Sequence, residues 1–243
     1  MKLIKLDAID STNDFLKALA NDSTVENYTV VTAENQSKGK GQMGSTWDSE
    51  IGKNLIMSIL IKNILLDISQ IYNLNIAISL SVITALENIG VPALTIKWPN
   101  DIMSDNKKIG GILIENSIKT NGEIISVVGL GLNVNQINFE NLPKASSLAV
   151  IMHMDLDKEQ LLFKIVEEMK LQIFKLQNHQ SQDLWQQYNN SLFKKGIPMP
   201  FENPKGEKFM GIIQHVNDFG RLQILLEDDS IASFDIKEIQ MLY

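Results

Sequence analysis

The chain has no cysteine. Disulfides, thiolate nucleophiles and cysteine-based zinc sites are therefore excluded. Histidine is scarce as well: His153, His179 and His215 stand far apart and form no metal-ligand spacing. Positive charge is in deficit, with 22 Lys and Arg against 29 Asp and Glu and a net charge of −7. That balance argues against a general nucleic-acid binder. Long apolar runs are missing too. Stretches such as 55–61 are too short and too interrupted to span a bilayer. Asp7 and Asp10 break up the amino terminus, so no signal segment is expected there and a cytoplasmic protein is. What remains is the composition of a globular protein, 44% hydrophobic and 21% charged. Its 243 residues leave room for one large domain, or one large and one small.

Periodicity divides the chain. Residues 2–6 alternate as an edge strand does. Ser11-Thr12-Asn13-Asp14 reads as a helix start, with a side-chain cap at Ser11 and an acid three residues on. Strands are expected at 28–33, 54–62, 95–98 and 123–134, and a helix from Ile71 to a stop at Gly90 and Pro92. Lys119-Thr120-Asn121-Gly122-Glu123 is a hairpin turn, because Asn-Gly supplies positive φ. Helices are expected at 157–178 and 181–190. After Leu192 the composition shifts. Turn signals over 194–200 and 204–206 punctuate short strands near 208–216, 220–227 and 230–235, which suggests a small β-barrel. The expected division is 1–191 and 192–243.

Two segments carry chemistry. The polar stretch 34–53 holds four of the 14 glycines, at 39, 41, 44 and 52. Gly39-Lys40-Gly41-Gln42-Met43-Gly44 fits G-x-G-x-x-G, but no helix pattern follows it, so the dinucleotide-binding context fails. A glycine-rich loop folding over a ligand fits better, with Lys38 and Lys40 able to meet phosphate. Trp47, at its end, is either a core anchor or a stacking platform.

The second segment is Lys97-Trp98-Pro99-Asn100-Asp101, followed by Lys107-Lys108-Ile109-Gly110-Gly111-Ile112-Leu113-Ile114-Glu115. Pro99 stops a strand, Asn100 and Asp101 favour a turn, and the chain resumes as a second strand. Two adjacent glycines inside a strand mark a close approach by a ligand or another backbone. A carboxylate, cationic heads and bare backbone N–H groups thus meet in one hairpin-like unit, which suits a substrate carboxylate or phosphate. Lys108 alone reads as a solvated strand-end lysine, and Asp101 alone as a turn residue. The glycine pair tips the balance. Asn133, after Gly129 and Gly131, is an odd residue for a buried strand end and needs partners, for which a ligand is a natural candidate.

Taken in order and spacing, Asp10-Ser11-Thr12-Asn13, Gln36 with the loop 39–47, the 97–101 and 107–115 segments and Gly129 to Asn133 resemble the biotin protein ligases. The resemblance implies an α+β fold: a mixed central β-sheet packed with helices, like class II aminoacyl-tRNA synthetases and the biotin–lipoate ligase catalytic domain, plus a small SH3-like β-barrel. It implies biotin and ATP as substrates, Mg2+ as a companion, and a biotinyl-5′-AMP intermediate. The acceptor would be a lysine on the biotin carboxyl carrier domain of acetyl-CoA carboxylase or another biotin-dependent carboxylase.

By the same resemblance, Ser11, Thr12, Asn13 and Gln36 hold the ureido end of biotin, with Gly39 and Gly129 in the biotin site. Gly110, Gly111 and Lys108 hold the carboxylate and the α-phosphate. Lys40, Gln42, Lys97 and Asn100 serve the nucleotide, Trp47 packs on the adenine side, and Asn133 contacts the adenosine. Lys108, Asp101 and Lys40 are the implied catalytic residues, Asp101 near the incoming lysine. Many relatives carry arginine at the positions of Lys40 and Gln42, and this chain has neither. The biotin motif begins at Asp10, which leaves no room before it for a helix-turn-helix, so no DNA partner is expected; nor is a membrane. A monomer or homodimer is expected. The alternatives are a lipoate–protein ligase or octanoyltransferase of the same fold, a biotin-sensing regulator and an inactive adaptor.

Overall fold

The computed structural model describes every residue except 65, 66, 68, 69 and 141. Its centre is a seven-stranded mixed sheet built from β1 (Leu3–Ile9), β2 (Val30–Gln36), β3 (Leu55–Lys62), β4 (Leu94–Lys97), β5 (Asp101–Ser104), β6 (Lys107–Ile118) and β7 (Ile124–Leu132). The strands run in the order β1-β2-β3-β7-β6-β5-β4. Only the β1–β2 pair is parallel; α1 (Thr12–Leu19) provides its crossover. The helix starts where the sequence places it, with Ser11 Oγ accepting from the Asp14 N–H.

Alternation along β3 explains the layering. Leu55, Met57, Ile59 and Ile61 point into the main core, under α2 (Ile71–Glu87) and α4 (Lys158–Gln177). Their neighbours Ile56, Ser58 and Leu60 face the other way. There Leu60 joins Val31, Ile125, Val127 and Leu16 of α1 in a smaller cluster. The helix covers only part of this face; the rest is the floor of the site. Helix α2 is buried nearly all round, from Leu74 to Leu86, as expected of an element packed between the sheet and α4.

The segment after residue 197 forms a five-stranded antiparallel sheet, in the order β11-β10-β9-β8-β12, from β8 (Pro198–Glu202), β9 (Lys208–Val216), β10 (Leu222–Leu226), β11 (Ile231–Phe234) and β12 (Gln240–Met241). Two further helices are α3 (Leu148–Met152) and α5 (Ser181–Asn190).

Three elements depart from expectation. Asp101 is not in a turn; it opens β5, a four-residue strand closed off by Asp105 in the left-handed region, φ 50°. The motif is thus three strands and two tight turns. The segment 198–200 is strand rather than turn. Pro200 is tolerated because on the β12 side it supplies only its carbonyl, which accepts from Leu242 N–H at 2.9 Å. Helix α3, capped by Ser147, carries too short a pattern to read from sequence.

The expected boundary at residue 192 falls inside the large sheet's edge. Ile96 N–H donates to the Ser191 carbonyl at 2.8 Å, and Phe193 N–H donates to the Ile96 carbonyl at 2.9 Å. Leu192 and Phe193 are buried in the main core, as are Phe201, Ile213 and Leu222 of the second sheet.

Candidate functional site

A cavity of about 340 Å³ lies on the sheet face that α1 leaves uncovered. Strand register builds its floor. Lys97 pairs with Asp101, Asp101 with Gly111, Gly111 with Gly131 and Gly131 with Ile56, so these five form one row across the sheet. The next row is Leu113, Gly129 and Ser58. Glycine is required at two of these places by the chain's own side chains. A Cβ on Gly131 would run into the Trp47 indole, and one on Gly129 would fall 2.5 Å from Asn13 Oδ1. Gly111 is different: a Cβ there meets Lys108 Nζ at 3.5 Å and Trp47 at 3.7 Å, which is ordinary contact.

The cationic end is held by Asp101. Its carboxylate is 2.7 Å from Lys108 Nζ and 3.6 Å from Lys97 Nζ. Lys108 Nζ also stands 5.9 Å from the centroid of the Trp47 ring, within cation–π range. Asn100 Nδ2 donates to the Ile112 carbonyl at 2.7 Å and so braces the turn before β5.

The polar end is a network. Thr12 N–H and Oγ1 both reach Gln36 Oε1, at 2.7 and 3.0 Å. Ser58 Oγ lies 2.8 Å from Thr12 Oγ1 and 2.6 Å from Asn13 Oδ1. Asn13 Nδ2 donates to Glu115 Oε2 at 2.9 Å. With Gln36 Oε1 occupied, its Nε2 is the group left to serve as a donor. Ser11 is spent as an acceptor on the helix cap, so its hydroxyl proton is available.

The glycine-rich segment is a small hairpin. Lys40 bridges Thr46, Gly41 N–H donates to the Ser45 carbonyl, and Trp47 N–H to the Gly39 carbonyl. Its tip uses Met43 at φ 53° and Gly44 at φ 82°. Lys40 Nζ is 2.7 Å from the Asp14 carboxylate, whose hydrogen bond raises the lysine pKa and keeps it cationic. The connection between β11 and β12 roofs the cavity with Ile236, Lys237 and Ile239, and Lys237 Nζ donates to the Met43 carbonyl at 2.5 Å. Trp98 Nε1 donates across to the Gly220 carbonyl at 3.0 Å.

Most of the residues expected from the sequence meet here. Ser11, Thr12, Asn13, Gln36, Lys40, Gln42, Trp47, Lys97, Asn100, Asp101, Lys108, Gly111 and Gly129 all line the cavity. Three do not. Gly110 turns toward the core, where a Cβ would lie 3.0 Å from the Gly131 carbonyl oxygen and from Leu132. Gly39 is wedged beside the Trp47 backbone and Gln36 Nε2. Asn133 donates through Nδ2 to the Ser146 carbonyl at 3.0 Å, so the chain itself supplies the partner expected from a ligand. Sequence reasoning missed Ser58, the one polar residue inside the apolar run of β3, and gave no role to Glu115 or Lys237. Among the described residues no three His, Cys, Asp or Glu side chains gather as a metal site, and no helix is long and apolar enough to cross a membrane.

Comparison with known proteins adds independent evidence. Residues 6–135 match the model of the biotin/lipoate A/B protein ligase family. The biotin–[acetyl-CoA-carboxylase] ligase of Mycobacterium tuberculosis is 29% identical over 215 residues, covering 87% of this chain and 79% of that protein. The bifunctional ligase/repressor BirA of Bacillus subtilis is 32% identical over 134 residues, 55% of this chain but only 41% of that protein. The solved structure of the Aquifex aeolicus biotin protein ligase in complex with biotin and ATP superposes with a TM-score of 0.81 at 27% identity, covering 99% of this chain and 98% of that one.

Proposed function

The chain belongs to the biotin/lipoate A/B protein ligase family, and we infer from that premise that it is an ATP-dependent biotin protein ligase, forming biotinyl-5′-AMP and passing the biotinyl group to a lysine of a carrier protein. The observation that carries the choice of biotin is the polar end of the cavity. Lipoate ends in an apolar dithiolane, whereas biotin ends in a urea with two N–H donors and one carbonyl acceptor. Gln36 Nε2 and the Ser11 hydroxyl are donors for that carbonyl, and Thr12 Oγ1 is an acceptor for an N–H. A lipoyl ring would leave those groups unpaired.

The row from Lys97 to Gly131 then receives the carboxylate. Biotin's carboxylate oxygen attacks the α-phosphorus, the bond from that phosphorus to the bridging oxygen breaks, and pyrophosphate leaves. Bringing a carboxylate to a triphosphate opposes two anions, and Lys108 supplies the cation where negative charge develops. Gly111 leaves its strand bare for the ligand to approach. As Lys108 turns to the phosphate, Asp101 loses its closest counter-charge. It is then free to orient the incoming amine and take its proton. The amine nitrogen bonds to the acyl carbon, the carbon–oxygen bond to phosphate breaks, and AMP departs.

Among the described residues Trp47 Nε1 is enclosed and finds no acceptor. An orphaned donor of that kind costs about 1–3 kcal/mol, so a shift of the loop that gives it a partner is favoured. Mg2+ is part of the proposal as a companion of the phosphates. It needs no cage of three side chains, since magnesium is commonly held by one or two carboxylates together with substrate phosphates. The carrier domain of acetyl-CoA carboxylase or another biotin-dependent carboxylase is the proposed acceptor, and the cytoplasm the proposed location.

Pyrophosphate exchange into ATP tests the activity. Exchange is expected with biotin and not with lipoate. Exchange with lipoate alone, or without either acid, overturns the assignment.

The hairpin's closure gives a second expectation. Lys237 ties the second sheet to the loop through the Met43 carbonyl. Lys237→Ala is expected to release biotinyl-adenylate roughly 2- to 13-fold faster, the equivalent of about 0.5–1.5 kcal/mol, with little change in the rate of adenylation. Stopped-flow release measures it; unchanged release means that the loop closes without the second sheet.

A further inference from the structure

The side chains at the polar end share one difficulty: amides and hydroxyls can donate or accept, so their positions alone do not fix which pattern they offer. A site that recognises a urea must have its donors and acceptors set in advance. We propose that Glu115 is the residue that sets them, as a positioning residue for biotin recognition that does not touch biotin itself. The inference rests on the biotin-ligase reading above.

Two groups in the network have no choice of role. Glu115 lies on β6, with a side chain 25% exposed, and Lys17 Nζ of α1 is 2.8 Å from its Oε1. An ionised carboxylate only accepts and an ammonium only donates. Glu115 Oε2 must therefore face the NH2 side of the Asn13 amide, at 2.9 Å. The Asn13 Oδ1 is then turned to Ser58, 2.6 Å away, and takes the single Ser58 proton. Ser58 Oγ, with that proton committed, faces Thr12 Oγ1 at 2.8 Å as an acceptor, and the single Thr12 proton is shared between Ser58 and Gln36 Oε1, 3.0 Å away. Thr12 keeps lone pairs for the cavity. Its backbone N–H holds Gln36 Oε1 at 2.7 Å, which leaves Gln36 Nε2 as a donor. One charge thus propagates through Asn13, Ser58 and Thr12 and fixes the pattern at the ligand.

Packing keeps the relay from slipping. Ser58 is fully buried and Asn13 is 4% exposed, so water does not substitute for a missing partner. Asn13 also lies flat against Gly129, where a Cβ would be 3.2 Å from its Nδ2. The glycine there makes room for the amide, and the carboxylate decides which way round it sits. Lys17 neutralises the Glu115 charge, which offsets the cost of holding a partly buried carboxylate on this face of the sheet.

Glu115→Gln tests the relay. With Lys17 claiming the new amide oxygen, the new NH2 faces Asn13 and turns that amide over. Ser58 then becomes an acceptor from Asn13 and sends its proton to Thr12, which spends a lone pair on it. The expected result in biotin-dependent pyrophosphate exchange is a KM for biotin raised roughly 10-fold. The kcat at saturating biotin and the KM for ATP should stay within about twofold, and the thermal midpoint should barely move. A merely structural role for Glu115 predicts the opposite: loss of kcat, ATP affinity and stability together.

The second measurement is a double-mutant cycle with Asn13→Ala. If Glu115 acts through Asn13, Glu115→Gln adds nothing on that background. An unchanged biotin KM in the single variant overturns the proposal, and so does an undiminished effect on the Asn13→Ala background. Failure of the wild-type chain to exchange pyrophosphate with biotin would instead sink the biotin-ligase reading.

Discussion

Lys108→Ala is expected to slow formation of biotinyl-adenylate by about 10²–10³-fold, the range seen when one preorganised group is removed from a developing oxyanion. Biotin binding in the absence of ATP should weaken far less. The ground-state carboxylate meets the whole row of Lys97, Asp101 and Gly111, whereas the charge that builds on the phosphate calls on Lys108, which exchanges its 2.7 Å contact with Asp101 for it. The Asp101 contact sharpens the expectation. Removing Lys108 leaves that carboxylate, 17% exposed, with Lys97 at 3.6 Å as its remaining cation. Single-turnover adenylation measured beside equilibrium biotin binding separates the two effects. Unchanged single-turnover adenylation removes Lys108 from the mechanism.

A chain ending at residue 191 is expected to lose cooperative unfolding. Leu192 and Phe193 fill the main core, and burial of two such side chains is worth about 3–6 kcal/mol. Natural domains hold only about 5–15 kcal/mol in total. Truncation there also removes the hydrogen bond from Phe193 N–H to the Ile96 carbonyl and turns Ser191, the acceptor for Ile96 N–H, into a free chain end. A chain ending at residue 197 keeps these contacts and should unfold more cooperatively in urea. Without the roof of Ile236, Lys237 and Ile239 it should transfer biotin poorly. If the 191-residue chain proves as stable as the 197-residue one, the boundary lies where the composition shift first suggested.

Local chemistry made much of this molecule readable. The Ser11 cap, the Asn121-Gly122 turn and the apolar faces of α2 and α4 are set by near neighbours in sequence, and each lies where its pattern predicts. The glycines of β6 and β7 were legible as places of close approach, but not what approaches. Trp47 and Asn13 occupy two of those places themselves, and neither contact is local. Strand β5 was lost because four residues between two turns carry too little alternation. Ser58 and Glu115 hid for a different reason. A serine in an apolar run and an acid at a strand's far end acquire meaning only when a helix 45 or 102 residues away delivers Asn13 between them. Asn133 was legible only as a buried amide that needs partners, and sequence alone does not say that its Nδ2 takes the Ser146 carbonyl.

The stitch between residues 191–193 and Ile96 also bears on how this molecule tolerates crowding. An open seven-stranded sheet has two rims, here β1 and β4, and an unpaired rim is a template for another copy's strand. On the β4 side the chain's own descending segment occupies the rail, so a stranger finds the Ile96 amide and carbonyl already taken. On the β1 side Lys5 and Asp7 stand exposed, and Lys5 is drawn to Glu159 of α4 at 2.6 Å. A docking strand would have to strip water from those charges. One rim is sealed at Ile96 and the other is guarded by charge, so a strand from another copy meets no bare apolar edge at either place.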